Sequence, residues 1–357
     1  MSVAARARAL GVLLMLCWQV IAAAQDDTTA AAKDSTQPWR RKPPLVFGYV
    51  QIHYRNAYDT GTDTLVDNSN FRVQRVRIGV KGYVYPWLAY DVEIDPRSPT
   101  IATVLRDAFF ALKVIPRHDI RVGQQKIQFG YENRESSSNL FVVNRSEVSD
   151  NLSRGVTLRD IGIGLIGNVK VGPKGFRIED AVTLVNGAGI NVQNDDTPRK
   201  NLWGRVGVRW RRDTDGLTAR FGISGATGDF IDPGNLPTPS DDIHIDFKRL
   251  GTDVEIDHSK FLINAEYVTG DDRDVDSGEK TSTNGYYVTL VAKPWRDFGP
   301  LVRYDALGVE DSQRWTYGAW YGVPNARFRV LVNYEYRKLR GGVRADDKFY
   351  IWTQFRF

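Results

Sequence analysis

The chain of 357 residues has one cysteine, two methionines and four histidines. The cysteine, Cys17, lies near the start of the chain, so disulfides and thiolate metal sites are excluded from everything that follows it. His53, His118, His244 and His258 are scattered, and no Ser/His pair has a third partner of the kind nucleophilic catalysis needs. Long hydrophobic runs are missing as well. Beyond residue 24 no stretch is apolar enough for a transmembrane helix. Nor is there a strong excess of one charge. The formal net charge of +5 falls to +3 without Arg6 and Arg8, a mild bias and not a nucleic-acid footprint.

What is present starts with an export signal. Arg6 and Arg8 give a positive start, Ala9–Ala24 an apolar core, and Ala22–Ala24 small residues for cleavage before Gln25. Residues 1–24 are therefore expected to be a signal peptide, and 25–44 a flexible polar lead-in. From Leu45 to Phe357 the dominant period is two. Val76, Ile78, Val80 and Val84 oppose Arg75, Arg77 and Lys81. Val206, Val208 and Trp210 oppose Arg205, Arg209 and Arg211. A helix would need apolar residues three and four apart, which these segments lack.

Sixteen such segments are expected, near 45–58, 71–84, 87–95, 104–114, 118–128, 158–169, 176–187, 201–212, 216–227, 243–257, 260–270, 284–295, 298–307, 313–323, 326–338 and 347–357. Short breaks such as Tyr85-Pro86, Pro116-Arg117 and Arg296-Asp297 alternate with longer polar ones such as Asp59–Asn70, Ala188–Lys200, Gly228–Asp242 and Asp271–Thr283. That alternation matches the periplasmic turns and extracellular loops of a bacterial barrel, whereas a soluble sandwich has no reason to keep it. Tyr83, Trp87, Trp210, Trp295, Trp315 and Tyr321 sit at segment ends, as interfacial girdles would. The chain closes on a strand whose Phe349, Ile351, Thr353, Phe355 and Phe357 share one face. The fold class is all-β, a transmembrane antiparallel β-barrel of about sixteen strands.

Four stretches carry a family likeness: Phe71–Gly82 (FRVQRVRIGVKG), Asp107–Gly130 (DAFFALKVIPRHDIRVGQQKIQFG), Arg159–Gly167 (RDIGIGLIG) and Val185–Gly207 (VNGAGINVQNDDTPRKNLWGRVG). In that order the chain resembles the phosphate-selective porin O and P family. The resemblance implies a sixteen-stranded barrel in the outer membrane of a Gram-negative cell, usually a homotrimer, conducting small phosphate-like anions past basic residues. It departs from the family in two ways. Members often carry adjacent arginines where this chain has Gln74-Arg75, and the chain is short for the group, without a helical N-terminal extension for trimer contacts. The alternative is a general-diffusion, sugar or organic-acid porin of the same fold. A plugged receptor barrel and an outer-membrane enzyme stay open as other classes.

The long connection 130–157 is the third outward loop and, as the family leans, is expected to fold into the lumen and form the constriction. It holds Arg134, Ser137, Asn139, Arg145 and Arg154. Guanidinium forks suit oxyanions because they donate paired hydrogen bonds. On the wall, alternation puts His53, Arg55, Arg75, Arg77, Lys81, Arg121, Arg205, Arg209, Arg220, Arg303, Arg327 and Arg329 on the polar face, with Lys126 near the loop. Cations at lipid mid-depth cost about 2–4 kcal/mol each, so such a row faces inward. Asp91, Glu93, Asp95, Asp107, Asp253, Glu255 and Glu266 share that face. The acids gather on strands three, four, ten and eleven and the bases on two, eight and nine, which predicts a transverse field or plain ion pairs.

No cofactor and no metal site are expected. Asp271–Asp276 (DDRDVD) lacks the glycine and distal glutamate of a calcium loop and reads as a solvated acidic loop. Expected partners are the permeating anions, outer-membrane lipid and lipopolysaccharide, and the barrel-assembly machinery through the Phe357 strand. No nucleic acid is expected.

Overall fold

Alternate residues of a strand point to opposite sides, so a sheet with one apolar and one polar face can cross lipid only if it closes on itself. In the computed structural model it does. The structure describes residues 43–58, 69–97, 104–153, 157–172, 175–192, 194–195, 197, 199–232, 243–308, 312–339 and 347–357. The signal segment, nearly all of the lead-in and Arg154 lie outside them.

The strands are β1 (Leu45–Tyr58), β2 (Asn70–Tyr85), β3 (Leu88–Ile94), β4 (Leu105–Ile115), β5 (His118–Lys126), β6 (Arg159–Val171), β7 (Phe176–Val185) and β8 (Asn201–Arg211). They continue with β9 (Thr218–Asp232), β10 (Ile243–His258), β11 (Phe261–Asp274), β12 (Lys280–Ala292), β13 (Phe298–Leu307), β14 (Ser312–Tyr321), β15 (Phe328–Lys338) and β16 (Asp347–Arg356). Each pairs antiparallel with its sequence neighbours, and β16 returns to β1 to close a sixteen-stranded barrel. Beyond the last strand, Phe357 and Gly48 exchange two backbone hydrogen bonds of 3.1 Å. One short helix, α1 (Glu147–Asn151), lies in the connection between β5 and β6.

Burial follows the alternation. Along β10, Phe247, Arg249, Asp253 and Glu255 are buried toward the interior, while Leu250 between them is exposed outward. The outer face carries Val182, Leu184, Val206, Val208, Phe221, Ile223, Val288 and Leu290, all exposed. Aromatics ring the ends of this face. Tyr85 stacks on Trp87 and Trp295 on Phe298 at the short-turn end, and Tyr286, Tyr304 and Trp315 form a second set higher up. Rings with an apolar body and polar edge suit the membrane interface.

Two details depart from strict alternation. Gln51 pairs with Arg75 but Ile52 with Val73, so Gln74 is an extra residue in a bulge. The bulge shifts the phase: Phe71 and Val73 are outward and exposed, as is Ile78, while Arg77 is buried inside. Two hairpins also run past their expected ends. Strand β9 reaches Asp232, and β11 and β12 keep pairing through Arg273 and Lys280. In the second, Asp271 accepts from Ser282 at 2.7 Å and pairs with Lys280 at 3.1 Å, so charged cross-strand pairs extend the ladder where polarity suggested a loop.

Candidate functional site: a basic cleft beside the third loop

The connection between β5 and β6 is apolar in its middle, Leu140-Phe141-Val142-Val143, and these four residues are buried. They pack with inward side chains of the wall, including Leu262, Leu301, Trp320, Leu331 and Trp352. A second cluster joins Ile127, Phe129, Val148 and Leu152 to Trp203, Phe247 and Tyr287. Both buried apolar cores thus contain this loop, and burial of such side chains is a main driving force for holding it there.

Polar contacts set its path. Gly130 turns the chain at φ 63, a left-handed conformation favouring glycine, and a side chain there would strike the Glu266 carboxylate. Its N–H donates to Ser224 Oγ at 3.0 Å. The N–H groups of Tyr131 and Glu132 both donate to Glu266 at 3.2 Å. Glu132 then pairs with Arg303 at 2.6 Å. Farther on, Arg329 donates to the carbonyls of Ser138 and Leu140, and Val143 N–H donates to Asn333 at 2.9 Å. Ser146 caps α1 through its side chain, and Glu147 pairs with Arg337 at 2.8 Å. The anchors lie on β9, β11, β13 and β15, so the loop lies inside the barrel along that half of the wall. Burial opposes the charge on Glu132, but Arg303, Arg145 and the Ser146 N–H and hydroxyl hold its carboxyl down to about 2.

The opposite half of the wall, β2 to β8, faces the loop across two adjoining cavities. One, of about 320 Å³, is lined by Arg75, Arg77, Arg106, Ser137, Arg145 and Arg159 among others. The other, of about 400 Å³, is lined by Arg121, Lys126, Arg134, Arg205 and Arg220 with Asp91, Asp107, Glu135 and Glu179. The expected site residues therefore divide into two kinds.

The first kind is neutralised. Arg77 meets Glu93 at 2.8 Å and Asp95 at 3.1 Å, and Arg220 meets Glu255 at 2.8 Å. Arg209 lies 3.6 Å from Glu179. Arg205 donates twice to Asp253, at 2.8 and 2.5 Å. To do so it lies over β9, where a Cβ on Gly222 would come within 2.1 Å of its guanidinium. Of the two expected outcomes the plain ion pairs are present: Arg77, Arg205 and Arg220 of the basic strands meet Glu93, Asp95, Asp253 and Glu255 of the acidic ones.

The second kind has no carboxylate at ion-pair distance among the described residues. Arg75 donates to Gln51 at 3.0 Å. Arg145 donates to the carbonyls of Glu132 and Glu135, and Lys126 to that of Glu135 at 2.9 Å. Arg134 contacts Gln128 at 3.3 Å, and Arg121 sits 5.0 Å over the Phe109 ring. Lys81 lies apart, 4.8 Å over the Phe47 ring in a third cavity toward the short-turn end. Arg327 is exposed in the turn before β15, not on the wall.

Arg106 and Arg159 line the smaller cavity but were not expected there. Arg106 follows a register shift, since Glu93 pairs with Asp107 and Ile94 with Leu105, so alternation misplaces it. Arg159 opens β6 and binds Asp107 at 2.7 Å; its signal was only its place at the end of the loop. Among the described residues, no group of three or more His, Asp, Glu or Cys is placed to hold a metal.

A closed sixteen-stranded barrel with an apolar outer band, aromatic ends and a loop along its polar interior has the architecture of an outer-membrane porin. The sequence profile of the phosphate-selective porin O and P family matches residues 46–235, and the chain belongs to that family. No curated protein gives a significant sequence match. Among solved structures the fold is similar to an anion-selective porin from Comamonas acidovorans, at 14% identity and TM-score 0.60, covering 88% of this chain and 99% of that one. It is similar to OmpT of Vibrio cholerae, at 12% identity and TM-score 0.58, covering 90% and 99%. It is also similar to the outer-membrane channel DcaP of Acinetobacter baumannii, at 14% identity and TM-score 0.55, covering 88% and 97%.

Proposed function

We propose that the protein is a passive, anion-selective porin that conducts phosphate-like oxyanions between the third loop and the β2–β8 wall. One observation carries this reading: Arg75, Arg121, Lys126, Arg134 and Arg145 face two adjoining cavities without carboxylate partners among the described residues. Paired arginines hold the wall together, whereas unpaired ones keep donors free to replace part of an anion's hydration shell. Carbonyl and amide partners do not cancel a positive charge as a paired carboxylate does, which supports a raised local anion concentration beside these five residues.

The similarity to an anion-selective porin supports the same reading. Family membership supports phosphate-like permeants. A trimer form of a structural neighbour supports a homotrimer here, which crosslinking in native membranes would check. Residues 1–24 fit a signal peptide that exports the chain, and the Phe357 strand fits recognition by the barrel-assembly machinery. Planar-bilayer recording tests the central claim: the reversal potential in a salt gradient lies on the anion side, and added phosphate slows chloride current. Cation preference, or no effect of phosphate, overturns it.

A further inference from the structure

The outer surface carries a charged row that the pore reading does not use. His258, Phe261 and Ala292 lie in one register row at the short-turn end of β10–β12. Ten residues farther along each strand, Lys248, Asp271 and Ser282 form another. Ten strand residues tilted as barrel strands are rise about 26 Å, the height of the apolar band of an outer-membrane barrel. The second row therefore sits at the edge of the band, on the long-loop side that faces the outer leaflet.

Its outward charges are mixed but unequal. Asp246, Arg273 and Lys280 are register neighbours just above Lys248 and Asp271. Lys280 is held by Asp271 at 3.1 Å, and Arg199 reaches Asp246 at 3.2 Å. Lys248 and Arg273 are exposed and have no carboxylate at ion-pair distance among the described residues. The hydroxyl of Ser282 and the outward side chains of Thr227, Thr269 and Asn284 adjoin them by register. Directly below come Leu250, Tyr267 and Tyr286, exposed and fit for acyl chains.

We infer that this face of β10–β12 docks a phosphate-bearing lipid headgroup of the outer leaflet, with Lys248 and Arg273 on the phosphate and the tyrosines against the acyl chains. A cation near an anionic membrane surface strengthens attraction about five-fold. Two exposed cations without a carboxylate at ion-pair distance among the described residues, above an apolar, aromatic surface, match an amphiphile charged at one end, and a free anion would make no use of the lower half of the site.

The test titrates the purified full-length protein, in phosphatidylcholine micelles, with phosphatidic acid and counts bound lipids by native mass spectrometry. Wild type retains phosphatidic acid over phosphatidylcholine. Lys248→Gln with Arg273→Gln weakens that retention by about thirty-fold, and Lys248→Arg with Arg273→Lys keeps it. Bilayer conductance and ion selectivity stay at wild-type values in the glutamine variant, because both side chains face away from the lumen; that readout also shows that the variant has folded. Equal retention by wild type and the glutamine variant, equal binding of phosphatidylcholine, or displacement of the lipid by inorganic phosphate overturns the inference.

Discussion

Arg303 on β13 and Glu132 of the third loop meet at 2.6 Å, with their side chains 3% and 1% exposed. The pair ties the loop to the wall from inside the barrel. Removing one partner of such a buried pair leaves the other as an uncompensated charge, at a cost of about 3–5 kcal/mol. Arg303→Met is therefore expected to lower the thermal unfolding temperature and to give a noisier, larger single-channel conductance as the loop loosens. Bilayer traces compared with wild type check this, and unchanged current noise argues against the latch.

The same contact has a pH signature. The Glu132 carboxyl lies at about 2 in the folded protein, below the ordinary value of about 4.3 for an unfolded chain. Its contribution is therefore fully present above that ordinary value and declines as the pH falls toward about 2. The difference in thermal unfolding temperature between wild type and Glu132→Gln is expected to hold steady from pH 7 to 5 and to narrow steeply by pH 3. Parallel losses in both proteins would contradict the assignment.

Arg205 separates structure from selectivity. Bound to Asp253 and packed over Gly222, it is expected to matter for folding and little for ion choice. Arg205→Met alone should cost about 3–5 kcal/mol, measured by denaturant unfolding, while Arg205→Met with Asp253→Leu, which removes both charges of the pair, should leave the reversal potential near wild type.

Gly222→Ala probes the same crossing from the other side. A Cβ there would come within 2.1 Å of the Arg205 guanidinium. Displacing that arginine is expected to cost about 1–3 kcal/mol, as overpacking does, in unfolding experiments. The Arg205→Met background should remove most of this penalty.

The barrel itself was legible because lipid on one side and water on the other impose a period of two on every strand, and the short turns mark where strands reverse. The phase slip at Gln74 was written in the sequence as Phe71 and Val73 followed by Val76 and Ile78, but alternation alone does not say where the extra residue sits. Inward orientation of Arg75, Arg77, Arg121, Arg205 and Arg220 followed from the cost of charge in lipid. Their partners did not follow, because Arg205 reaches Asp253 two strands away and only the register and a glycine in between make room. Arg106 was hidden for the same reason, behind a shift in pairing at Ile94. The hold of Arg303 and Arg329 on the third loop was equally out of reach, since more than 160 residues separate Glu132 from Arg303 along the chain.

The central claim is that basic side chains without a carboxylate partner beside the third loop set anion preference, and the most direct measurement is the reversal potential of wild type against Arg75→Gln with Arg145→Gln in the same salt gradient. The account predicts anion selectivity in wild type, a shift toward neutrality in the double variant, and weaker block of chloride current by phosphate. Cation selectivity in wild type, or a double variant with unchanged reversal potential and phosphate block, would contradict it.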